Sequence, residues 1–526
     1  MNDSKLIWAA GGESLCAPED TLPAYWGALG AGADGLALGV QLTSDDVLVC
    51  CRNATLADTT GDKRRVGQVT AAELRALDAG AMFRSTELDG ENQPAGRGDD
   101  IPWVGHAKKG DALYHPELVE VLLNFSTRTA LLLHLITPRR ERAARRQALV
   151  EATLAELARF GLTRDAVVAG DADVLRLVRK ASPETPLALV LTGGEDEELK
   201  TRIKELKPAY LIVNAESVAR RQKRGIELDA AFVKSLGKGK LRVIITSAAM
   251  PFALSPDYFR ALDAEDWVAG YVCRAVRETK EMSRPSHLVV EDDFRGKSIN
   301  RTLWTMGYSK MNRDTEIRHA DGLFIKIRGG GEYSGASALT TYSIRGDFDA
   351  QVSFKVASPA QGTTFELAAI QVDPGYHNTD NTKINRDNAN LTFDVHGAPP
   401  YASSERDEDD GFRIGWNNGP AVLRIVDTGH GTETQSVNAY NKYSRDVGDG
   451  AKDNPSGQLR LVRCGEVFNA YYTDKHNRQW VLSGSASVPT LCRDVYLRLG
   501  AKHWPKGGRV PPPNQIDFHS FRLSQH

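Results

Sequence analysis

The strongest constraint on this chain is the regular alternation of short apolar runs with amphipathic stretches that begins at Leu6. LIWAA and GLALGVQL flank an amphipathic segment from Leu22 to Leu29. Strand, helix and strand in that order predict a parallel β/α unit, because parallel neighbours need a crossover and an amphipathic helix supplies one. The pattern continues through Leu131–Ile136, Ala166–Gly170, Leu187–Thr192, Ala209–Asn214, Leu241–Thr246 and Val268–Cys273, with helical stretches such as ADVLRLVRKAS between them. Together with runs at Leu6, Gly35 and Val47 this gives nine candidate strands. A (β/α)8 barrel needs only eight, so Val47–Cys51 is read as a short extension in the second β/α loop region.

Near Ser283 the texture changes. SRPSHLVVEDDF reads as a linker, and beyond it helical periodicity gives way to short alternating runs such as GLFIKIRG, DFDAQVSFKV, FELAAIQVD and DVYLRLGAK. Turn residues divide them at short intervals, the pattern of an antiparallel sandwich. The expected architecture is a (β/α)8 barrel over residues 1–284 followed by a β-sandwich over 285–526. A chain of 526 residues has the length for two or three domains with cores of their own.

Several stretches of the first domain resemble the glycerophosphodiester phosphodiesterase family, whose members are TIM barrels. Ala17-Pro18-Glu19-Asp20-Thr21 is similar to that family's A-P-E-N-T turn, with Asp for Asn. Gly32-Ala33-Asp34-Gly35 matches G-A-D-G, Val40 to Thr43 matches V-x-L-T, and Leu56, Asp58, Thr59, Thr60 and Gly61 match L-D-x-T-T-G with one inserted residue. AAELRALDAG (71–80) is close to the family's helix wording. From Leu288 to the C-terminus the chain resembles the concanavalin A-like (laminin-G-like) jelly rolls, on DDF near Asp293, the LRLVRCGEVFNAYYTDKHNRQWVL hairpin and the closing IDFHSFRL.

The family's chemistry does not come with its scaffold. Aligned with the family, its His-Arg-Gly falls on Ala9, Ala10 and Gly11, and its metal-binding Glu-x-Asp on Ala37 and Gly39. Its His-Asp falls on Cys51 and Arg52, its Glu-x-Lys on His134 and Ile136, and an acid of the last strand on Arg274. Hydrolysis of this kind needs a hard cation held by carboxylates and a proton donor and acceptor, commonly His. Alanine, glycine and isoleucine supply neither. The resemblance therefore implies a pseudoenzyme that acts as a binding, scaffold or assembly component, with no cofactor and no metal. The alternatives are a phosphodiesterase rebuilt around Cys51, Arg52 and His134, or a carbohydrate-binding, lectin-like protein.

The remaining signals bound these readings. A net charge of −2 argues against a general nucleic-acid or anionic-membrane binder. No apolar run is long enough to cross a membrane and the N-terminus lacks a signal-peptide pattern, so a cytoplasmic location and a protein partner or self-assembly are expected. The cysteines form no C-x-x-C pair; Cys464 and Cys492 could meet across a sheet, although buried thiols are the favoured reading. A long helix is expected over Pro138–Phe160; its arginine-rich start could grip a phosphate or face solvent, and solvent is favoured. On the sandwich, Trp416, Tyr471, Tyr472 and Trp480 are candidates for stacking against a sugar. The acidic loops SERDEDDG and NTDNTKINRDN match no calcium signature.

Overall fold

A computed structural model describes residues 5–83, 113–370 and 411–525, with further breaks that include 139–140, 192–195, 233–240 and 441–455. The chain divides into two compact units, the first ending at Pro285 and the second beginning at Ser286.

In the first unit the strands are β1 (Leu6–Ala10), β2 (Gly35–Leu42), β3 (Leu48–Cys50), β4 (Ala130–Leu135), β5 (Val167–Gly170), β6 (Leu187–Val190) and β7 (Tyr210–Asn214). A small hairpin, β8 (Ala219–Gln222) and β9 (Gly225–Leu228), precedes β10 (Arg242–Thr246) and β11 (Val268–Cys273). The sheet runs β1-β11-β10-β7-β6-β5-β4-β2 and closes through parallel pairing of β1 with β2. This is a closed barrel of eight parallel strands. The ninth apolar run is β3, which pairs antiparallel with β2 outside the ring, as the sequence pattern suggested.

Alternate residues of these strands fill the barrel. Trp8, Leu132, Ile212 and Ile244 pack with the small side chains Ala10, Ala37, Ala169, Ala188 and Ala269. The large indole has room because Gly35 faces it: a Cβ there would lie 2.5 Å from Trp8. The seam between the first and last strands is equally tight, since a Cβ on Gly270 would stand 2.2 Å from the Leu6 carbonyl oxygen. Buried Glu13 also holds the ends together, accepting the backbone N–H groups of Val276 and Arg277 at the start of the helix that follows β11.

One expectation about a helix shifts. The segment expected to be helical from Pro138 is helical over Ala143–Arg159, with Arg142 in extended conformation as its N-cap. Pro116 stands just before the helix Leu118–Phe125; Glu117 is the N-cap, and Glu120 accepts its backbone N–H.

The second unit consists of antiparallel sheets. Its two larger ones contain eight and five strands and share one core, in which Phe348, Val352, Leu461 and Phe518 of one pack with Ala338, Leu367, Leu497 and Leu499 of the other. The stretch read as a linker is in part a strand, His287–Asp292, paired antiparallel with the C-terminal strand Asn514–Gln525. Its backbone hydrogen-bonding groups have a ready partner there, which periodicity over six residues does not reveal. The acidic loops and Cys492 lie outside the described residues. Cys50, Cys51 and Cys273 are buried thiols. Among the described residues no helix is long and apolar enough to cross a membrane.

The barrel seam yields a direct test. Gly270→Ala should cost at least about 1–3 kcal/mol by forcing β1 and β11 apart, seen as a lower midpoint in denaturant unfolding. An unchanged midpoint would contradict the close approach at this position.

Candidate functional site at the barrel mouth

Chemistry in a (β/α)8 barrel is built at the C-terminal ends of the strands, and here that rim is organised by the turn after β1. Asp20 has φ 55°, a left-handed conformation that Asn and Asp tolerate better than other side-chain-bearing residues. Thr21 then caps the helix Leu22–Gly30, its hydroxyl accepting the Ala24 N–H, with Pro23 in the first turn. The A-P-E-D-T stretch is therefore a structural device: a left-handed turn, a cap and a helix-starting proline.

Asp20 is fully buried. Its Oδ1 accepts the Tyr25 hydroxyl at 3.1 Å, and its Oδ2 accepts the Arg52 backbone N–H at 2.8 Å. His115 donates from Nδ1 to the Asp20 carbonyl at 3.3 Å, which leaves Nε2, 2.8 Å from Thr59 Oγ1, to accept. Burial, joined by the nearby Glu19 charge, holds the Asp20 carboxyl above the usual range. Burial also pushes His115 down, so its imidazole is neutral.

Glu19 forms an ion pair with Arg274, 2.5 Å from Oε2, and its Oε1 accepts the Asn53 amide at 2.5 Å. Burial works against this charge, but Arg274, Arg52 and Asn53 outweigh it and keep the carboxyl below the usual range. Arg52 lies close enough to Ala10 for its guanidinium to reach the Ala10 carbonyl at 3.4 Å. His134, at the end of β4, is lowered to about 4 by burial and by the neighbouring Arg52 charge, only partly offset by Asp171.

These residues do not fit a divalent cation. The position of Gly39 is filled from outside: a Cβ there would stand 2.4 Å from the Arg52 Cα and 2.8 Å from the Ile136 side chain. Ala10 and Ala37 are packed into the barrel core, and Ala9 is fully buried. The acids that remain near the rim have other partners: Glu19 holds Arg274, Asp171 caps the helix Ala172–Ala181, and Glu216 accepts the Ala248 N–H. Asp20, Cys51 and His115 do bring ligand atoms within 4.8 Å of one another. Both Asp20 oxygens and both His115 nitrogens are already hydrogen-bonded, however, and burial pushes the Cys51 thiol well above its ordinary range.

The residues singled out from sequence separate here. Arg52 and His134 share the mouth. Cys51 also packs in a small core with Val49, Leu56, Val66, Val69 and Leu74, and its thiol is buried. Sequence reading did not single out Glu19, Asn53 and His115 as site residues. The departure of Asp from Asn at position 20 was the one local signal that the turn carries charge.

In the second unit Tyr471 is buried, with its hydroxyl accepting the Asn469 amide at 2.7 Å. As a core residue it cannot stack on a sugar. Trp480 is half-buried, with the Arg460 guanidinium 5.5 Å from its ring. The side chains of Trp416 and Tyr472 lie outside the described residues, although both positions are in strands.

Comparison with known proteins gives this geometry a family. Residues 11–245 match the family model described as the glycerophosphoryl diester phosphodiesterase family, and the chain carries a domain of that family. It is 39% identical over 89 residues to a glycerophosphodiester phosphodiesterase of Caldanaerobacter subterraneus, covering 17% of this chain and 36% of that protein. It is 42% identical over 81 residues to a probable glycerophosphodiester phosphodiesterase 1 of Mycobacterium tuberculosis, covering 15% and 30%. The chain thus spans about a third of the length of these curated relatives. Among solved structures it is similar to a putative glycerophosphoryl diester phosphodiesterase of Silicibacter pomeroyi, with 21% identity, a TM-score of 0.42, and 54% and 94% of the two chains covered.

Two measurements probe the mouth. Gly39→Asp should destabilise the protein by at least about 1–3 kcal/mol through overpacking against Arg52, without creating manganese binding detectable by calorimetry. A stable variant that binds manganese would contradict the filled site. His134 tests the electrostatics, because its folded pKa lies below the unfolded value of about 6.5. The unfolded chain takes up the proton first as pH falls, so stability is lost between about 6.5 and the folded value of about 4. Melting temperatures of wild type and His134→Gln should therefore show a steeper acid-side fall in the wild type over that window; parallel curves would refute the assignment.

Proposed function

We propose that this barrel is a non-hydrolysing member of its family and works as a binding or assembly module joined to a β-sandwich. The observation that carries the proposal is the packing of the Arg52 backbone over Gly39, which occupies the space a metal-binding carboxylate would need. Arg274 supports it from the opposite side, since the Glu19 charge that could attract a cation is paired with a fixed guanidinium. His134 held neutral beside Arg52 is a poor proton donor at neutral pH. A protein partner or a second copy of the chain is the expected ligand of such a scaffold, with a carbohydrate on the sandwich as the other candidate.

A second reading is a phosphodiesterase with a rebuilt site, favoured by the activity for which the relatives are named. Turnover separates the two. Purified full-length protein, given glycerophosphodiesters with magnesium, calcium or manganese, should release no alcohol above the level of a no-protein control. Metal-dependent release that is lost in Arg52→Met would instead establish the rebuilt enzyme.

A further inference from the structure

Beside the mouth, on the same rim of the barrel, is a cavity of about 330 Å³. It lies where β2 and β4 end, and its lining includes Leu42, Ile136 and Leu149 as an apolar wall and Arg65, Arg142 and Arg145 as a basic one. Among the described residues Glu141 is the only acid in that lining, and its carboxylate accepts the Arg142 backbone N–H. The volume suits a small organic ligand.

The three arginines differ in how they are held. Arg145 is a fixed charge, its guanidinium donating to the Leu42 and Thr43 carbonyls at 3.1 and 2.5 Å and to Asp46 at 3.1 Å. Arg65 and Arg142 are exposed, and among the described residues neither guanidinium pairs with a carboxylate. The helix that begins at Ala143 has no acidic residue in its first turn, so its N-terminal dipole adds to the same positive field. Two exposed guanidiniums near one anchored guanidinium suit a compact dianion, which planar Arg donors hold bidentately.

We propose that this rim cavity binds a phosphomonoester, with the phosphate held by Arg65, Arg142 and Arg145 and a short apolar portion against Leu42, Ile136 and Leu149. The site is separate from the mouth: it does not use Arg52, Arg274 or Glu19, and it stands whether or not the barrel hydrolyses anything. The arginine-rich helix start, which the sequence left between a phosphate grip and a solvated face, acquires a defined function through Arg142 and Arg145.

The test is calorimetric titration of the full-length protein with phenyl phosphate at low salt, with phenol and inorganic phosphate as controls. Phenyl phosphate should bind in the millimolar range or tighter, inorganic phosphate more weakly, and phenol not detectably. Arg65→Glu and Arg142→Glu, both at exposed positions, should each weaken phenyl phosphate binding by about tenfold or more without lowering the melting temperature. Arg52→Met should bind as the wild type does. The proposal is overturned if wild type gives no heat, if both charge reversals bind like wild type, or if Arg52→Met alone abolishes binding. That last result would move the ligand to the mouth. Binding lost in Arg65→Glu and Arg142→Glu but kept in Arg52→Met bears only on this site, whereas hydrolysis of glycerophosphodiesters bears only on the function proposed for the mouth.

Discussion

The rim of the barrel depends on one buried carboxylate. Asp20 receives the Tyr25 hydroxyl and the Arg52 backbone N–H, and its carbonyl receives the His115 ring. Three segments distant in sequence are thereby fastened at one point. The Asp20–Arg52 bond has a further consequence, because it fixes the Arg52 backbone over Gly39. A hydrogen bond made by a buried, charged or partly charged acceptor is among the stronger ones available in a protein. Here it sets the local architecture of the site.

The balance of charge at the mouth follows from that anchoring. A divalent cation would need several oxygen ligands converging without competing positive charge. Glu19 instead meets Arg274, and Arg52 stands close enough to act on both Glu19 and His134. A guanidinium neutralises a carboxylate much as a metal would, but it brings no bound water to activate and leaves no open coordination position. An arginine beside Glu19 can thus preserve the electrostatic stability of the barrel rim.

Much of the fold was legible because its signals are local. The alternation of strands and helices marked the barrel, the short intervals between later runs marked the antiparallel sheets, and the surplus apolar run was recognisable as an addition to the ring. Ala10, Ala37 and Gly39 drew notice only through resemblance, since nothing in an alanine or a glycine by itself marks a site position. Other features were hidden. Tyr471 looked like an exposed stacking surface because strand alternation does not say which face of a sheet is covered, and Cys51 looked like a mouth residue although it packs into a satellite core.

Sequence alone determined the element order and the β/α alternation that closes into a parallel sheet, because these follow from side-chain type and near-neighbour periodicity. Only the tertiary structure decided what surrounds the barrel mouth. The pairing of Glu19 with Arg274 joins opposite ends of the first unit, the Arg52 backbone reaches Gly39 through a hydrogen bond to Asp20, and Arg65 meets Arg142 and Arg145 around one cavity. Such contacts depend on how strands are placed around a closed barrel, and no local pattern along the chain encodes which residues the closure brings together.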